Sequence, residues 1–135
     1  MQTCRSPAFA AVGEGNLPDE AYAFLKLIQL QKDWAAIGKT VREREDVAGD
    51  EWQNVQLYLR KMYQQGEELK GMAKGFAEPK RAQALALVEA VRAEARAADK
   101  PAGARDRDAF LAAQRSIEAK IGEFVDLFQD VPDEL

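Results

Sequence analysis

The chain has 135 residues, enough for one domain with its own core, and is 47% apolar and 31% charged. Its net charge of −4 argues against a general nucleic-acid binder, because neutralising phosphates needs an excess of Lys and Arg. Histidine is absent and Cys4 is the only cysteine, which removes the commonest general base, the commonest transition-metal ligand and any internal disulfide. No stretch of 18 apolar residues is present to cross a membrane as a helix.

Residues 1–18 show no helical period and are punctuated by Pro7, Gly13, Gly15 and Pro18. They predict an extended N-terminal arm. Within it, Ala8-Phe9-Ala10 has the small-x-small form of a signal-peptidase site, without the apolar stretch that should precede one. The tripeptide reads either as chance in an Ala-rich chain or as the remnant of an export signal.

The first predicted helix runs from about Asp19 to Asp46, with acids in its first turn where the helix dipole favours them. Ala23, Leu27, Leu30, Trp34, Ile37 and Val41 alternate four and three apart, the spacing of one buried seam. Phe24 and Ile28 widen it. Gly49 breaks the pattern. The second helix is predicted from Asp50 or Glu51 to Lys74, with Asp50 as N-cap and Gly75 at the C-terminal cap. Its seam is Trp52, Val55, Leu59, Met62, Gly66, Leu69, Ala73 and Phe76. A glycine inside a helix costs about 1 kcal/mol against alanine, so Gly66 predicts a close helix approach or a bend.

The third helix is predicted over Pro79–Ala98, with a thin seam of Ala84, Val88, Val91, Ala95 and Ala98. Asp99–Asp106 is expected to be a loop. The fourth helix spans about Asp106 to Asp130 on Phe110, Ile117, Ile121, Phe124 and Phe128, with Gln114 as its one polar seam residue. Together these predict an all-α fold: a four-helix up-down-up-down bundle over 19–135 behind the arm.

Few motifs carry chemistry. Gly38-Lys39-Thr40 echoes the end of a phosphate-binding loop, but Asp33 stands where its first glycine belongs and no strand precedes it. The closing Pro-Asp-Glu-Leu lacks the Lys or His that opens an endoplasmic-reticulum retention signal. The carboxylates fall off the seams and fit solvated faces. Met62 and Met72 fit core filling better than haem ligation. Neither catalytic residues nor a cofactor or metal site is expected, so the composition points to a binding or structural module.

Charge is uneven. Lys39, Arg42 and Arg44 gather at the end of the first helix, where cations complement its dipole. Arg92, Arg96, Lys100, Arg105 and Arg107 dominate residues 92–107. Both read as solvated faces or as docking patches for a charged partner.

One spacing is diagnostic. Trp52 opens the second helix after a Gly-Asp turn, and Leu59-Arg60 follows seven and eight residues later. This resembles the signature region of the PsbQ-type extrinsic proteins of photosystem II. Phe24-Leu25 near the start of the first helix, Leu69 and Met72 downstream, the Phe-rich last helix and the closing Val-Pro-Asp-Glu-Leu extend the likeness over residues 19–135. The chain lacks the long proline-rich segment of the plant members, and Cys4 is not placed as a lipobox cysteine. It is therefore more similar to an algal form.

The resemblance implies a non-catalytic subunit peripheral to the membrane in the chloroplast thylakoid lumen. Its partners would be the photosystem II core and other extrinsic subunits. It would shield the manganese–calcium cluster and help retain calcium and chloride. Phe9, Leu17 and Pro18 of the arm, Lys39, Arg42 and Arg44 on the first helix, and Arg60 are the expected docking residues. Two alternatives stay open: a helical adaptor or spectrin-like module, and a PsbQ-like subunit of the chloroplast NDH complex.

Overall fold

The computed structural model describes residues 16–129. They form four α-helices: α1 (Asn16–Glu43), α2 (Gly49–Ala73), α3 (Lys80–Gly103) and α4 (Arg107–Gln129). There is no strand among the described residues. Short connections join the helices, and α1/α2, α2/α3, α3/α4 and α4/α1 are packed neighbours. This is the expected up-down-up-down bundle. Phe9 and the 8–10 tripeptide, like the closing residues 130–135, lie outside the described residues.

The predicted seams form the core. Leu27, Leu30, Trp34 and Val41 of α1, Trp52 to Ala73 of α2, and Phe110, Ile117, Ile121 and Phe124 of α4 are all buried. On α1 the buried residue between Trp34 and Val41 is Gly38, and Ile37 is half-buried beside it. The seam steps that way because Gln114 of α4 occupies the space where a side chain on residue 38 would go.

Several boundaries differ from expectation. Helix α1 begins at Asn16, so Leu17 and Pro18 belong to its first turn and not to an arm. A proline fits there because the first backbone N–H groups of a helix have no intrahelical acceptor. The helix ends at Glu43, short of Asp46. Glu45 and Asp46 would place carboxylates at the negative end of the dipole.

Helix α2 is capped at Ala48, not Asp50. The Ala48 N–H donates to Glu51 Oε1 at 3.2 Å, which is the carboxylate half of a capping box. Asp50 lies in the first turn, exposed. At the other end Gly75 follows the C-cap Lys74 but keeps a negative φ.

The largest correction concerns α3, which continues through the expected loop to Gly103 with Pro101 inside it. Pro101 removes one backbone donor. Against that cost, the three-four alternation of Val91, Ala95 and Ala98 continues to Ala102, which is 0% exposed. The helix then closes in a Schellman motif. Arg105 N–H donates to Ala102 O at 3.1 Å and Asp106 N–H to Pro101 O at 2.8 Å. Arg105 takes the left-handed conformation (φ 56°) that usually falls to glycine. Asp106 then caps α4, accepting the Ala109 N–H at 3.2 Å.

Candidate functional site

Both tryptophans are core residues. Trp52 is 4% exposed and meets Phe110 edge-on, with ring centroids 5.5 Å apart. Phe110 also meets Trp34 at 5.8 Å, so one α4 ring joins α1 to α2. Trp34 stacks on Tyr58 across the α1/α2 boundary at 6.3 Å. Its Nε1 donates to Gln114 O at 3.1 Å, and Gln114 Nε2 donates back to Trp34 O at 3.2 Å. The polar seam residue of α4 thus serves as a lock between helices, satisfying a buried indole N–H.

The α1/α2 boundary is the thinnest of the four. Tyr58 donates its hydroxyl to Asp33 Oδ2 at 3.1 Å, and Lys26 pairs with Glu68 at 2.9 Å. Burial first, and then the neighbouring Asp33 carboxylate, push the Tyr58 phenol well above its ordinary range. Two grooves flank these bridges. One, of about 560 Å³, lies among Phe24, Met72, Phe76 and Phe128. The other, of about 310 Å³, lies among Ile37, Val47, Val55 and Tyr58.

The predicted docking residues Lys39, Arg42, Arg44 and Arg60 do not form one surface. Arg44 is past the end of α1 and its guanidinium pairs with Glu51. Arg42 gives its carbonyl to Arg107, whose Nε also donates to Val41 O at 2.9 Å. Lys39 is exposed nearby. Acids crowd this end: Glu43, Glu45, Asp46, Asp50 and Glu51 stand among the cations in sequence. The basic run 92–107 is also divided, since Arg105 covers Gly49 at that same end while Arg92 and Arg96 lie back along α3.

Arg60 falls elsewhere. It is exposed on α2 beside the buried Leu59 and borders a cleft of about 490 Å³ against α3. Tyr63, Gln64, Ala95, Arg96 and Asp99 share that cleft. The guanidinium carbon of Arg92 sits 4.4 Å from the Tyr63 ring centroid, and that of Arg96 sits 5.9 Å away. Gly66 makes this possible: a Cβ there would collide with the Arg92 side chain. Gly66 thus makes room for an arginine side chain, where a close helix approach or a bend is expected. Tyr63 carried no sequence signal of its own, because its role depends on residues some thirty positions away on α3.

Among the described residues, no cluster of three or more Cys, Asp or Glu side chains is arranged to hold a metal ion. No described helix is long and apolar enough to cross a membrane. Glu94 bridges α3 to α4, accepting the Ser116 hydroxyl at 2.6 Å and pairing with Lys120 at 2.8 Å. Comparison with protein-family models gives no match. Neither the curated proteins nor the solved structures give a significant match.

Proposed function

We propose that this chain is a non-catalytic, PsbQ-like extrinsic subunit. It docks on the lumenal side of photosystem II and stabilises the manganese–calcium cluster with its calcium and chloride. One observation carries the reading: the Trp52…Leu59-Arg60 spacing sits within an antiparallel four-helix bundle and divides into a core part and a surface part. Trp52 and Leu59 are 4% and 2% exposed, and Arg60 faces outward next to them. A spacing kept only for packing needs the first two residues; the third faces out and is available to a partner. Matched long helices and the thylakoid-type resemblance from Phe24 to the closing residues support the same reading. The protein's work would be differential binding, with a rigid bundle covering a surface that would otherwise exchange with bulk solution.

A salt wash of thylakoid membranes tests it. The protein is expected to leave with the extrinsic subunits of photosystem II. Oxygen evolution of the washed membranes should then require added calcium and chloride, and re-adding the protein should relieve that requirement. Release with the chloroplast NDH complex would transfer the reading to that assembly. Retention in a soluble fraction, with oxygen evolution unaffected, would leave the helical-adaptor alternative.

A further inference from the structure

We propose that the cleft between α2 and α3 at Arg60, Tyr63 and Arg96 is the docking ledge of this protein, and that its partner there is a carboxylate-bearing protein surface. The proposal rests on the docking role argued above and adds the surface and the chemistry of the partner.

The ledge has the composition of an interface centre. Its floor is Leu59 and Ala95, which are 2% and 1% exposed, so it is recessed and apolar. Tyr63 gives it a flat amphipathic wall. Arg60 and Arg96 stand exposed at its edge, and neither forms an ion pair with a described residue. Leu57, 58% exposed, stands one turn before Lys61 on the outer side of α2. Tyr and Arg in a desolvatable recess are the side chains that dominate binding energy in protein interfaces.

Among the charged residues that line the cleft, these two arginines are the unpaired ones. Arg92 is held by Glu67 at 2.9 Å and by the Tyr63 ring, and so stiffens the wall without offering an open fork. Asp99, the one acid lining the cleft, accepts a hydrogen bond from Gln56 at 3.2 Å. Two open guanidinium forks therefore face one engaged carboxylate, on a chain whose net charge is −4. The local sign opposes the global one, which orients an anionic partner as it approaches. A guanidinium fork matches a carboxylate in bidentate geometry. The end of α1 lacks this character, because acids neutralise it and Glu51 fills the Arg44 fork. An anionic lipid surface fits less well, since the apolar floor of the cleft is recessed.

The full chain and its Arg60→Glu/Arg96→Glu variant are compared in rebinding to salt-washed photosystem II membranes. Helicity and thermal midpoint of the variant should match the wild type, because both arginines are exposed. Its affinity is expected to fall about tenfold or more. The Lys39→Glu/Arg42→Glu variant carries the same change in net charge and should bind within about threefold of wild type. Equal binding by the ledge variant, or equal loss in the α1 variant, overturns the ledge while leaving photosystem II docking in place. Failure of the wild type itself to rebind overturns the photosystem II reading and the proposal with it. Protein-free vesicles containing phosphatidylglycerol form the last arm. Binding there that equals membrane binding and depends on Arg60 and Arg96 would make a lipid the occupant and overturn the protein partner.

Discussion

Two boundaries of the bundle are built on opposite plans. Helix α3 meets its neighbours through small side chains, with Ala84, Ala95, Ala98 and Ala102 all at 0–1% exposure. Helix α1 meets α2 through the Trp34–Tyr58 stack and polar bridges, with grooves on either side. The size of the seam residues sets how closely helix axes approach. Alanines let backbones close up, and the space left beside α3 is the surface cleft above Ala95 at Arg60, Tyr63 and Arg96. Aromatic rings hold them apart and leave the surface between them unfilled. Stability and openness are thus distributed unevenly around one ring of four helices.

The largest test of this contrast is Trp34→Ala. Trp34 is 0% exposed and touches Tyr58, Phe110 and the Gln114 backbone at once. Removing it deletes the stack on Tyr58 and half of the reciprocal bond to α4. A loss of about 3–5 kcal/mol is expected in chemical denaturation. A loss below about 1 kcal/mol would mean that α1 is held by α4 without the indole.

A paired substitution sharpens the comparison at smaller amplitude. Ala98→Leu places extra methylenes where α3 has no room, and should cost about 1–3 kcal/mol. Ala36→Leu adds the same atoms to an exposed position bordering the smaller α1/α2 groove, and should change stability by no more than about 0.5 kcal/mol. Equal costs at the two sites would show that the two boundaries do not differ in packing.

The same contrast explains how much could be read from the sequence. The three-four alternation fixed four helices and nearly all of the core, because burial on one face is a local, periodic signal. The local breaker rule misleads at Pro101, where it is outweighed by burial of Ala98 a turn before and of Ala102 immediately after. The capping preference misleads at Asp50, where a good capping residue is passed over because Glu51 reaches back to the Ala48 N–H. Gly38 was invisible because its reason is Gln114, on another helix. The ledge was half legible: Arg60 stood out by its spacing, whereas Tyr63 and Arg96 joined it only once α2 and α3 were side by side.

The smallest effect lies on the closed side, where Glu94 ties α3 to α4. Burial works against its ionised form, but hydrogen bonds from Lys120 and Ser116 and the Lys120 charge outweigh it, and its pKa lies below the ordinary 4.5. The unfolded chain therefore takes up a proton here at a higher pH than the folded one does. The stabilisation is fully present above the unfolded pKa and is lost as pH falls through the folded one. Both partners are about a third exposed, so the contribution should stay under about 1 kcal/mol. Glu94→Gln should accordingly be slightly less stable than wild type near neutral pH, with the gap closing in acid as the wild-type carboxylate protonates. A gap that is constant across that range would assign the contribution of Glu94 to packing and neutral hydrogen bonding, and the tie between α3 and α4 would then owe nothing to its charge.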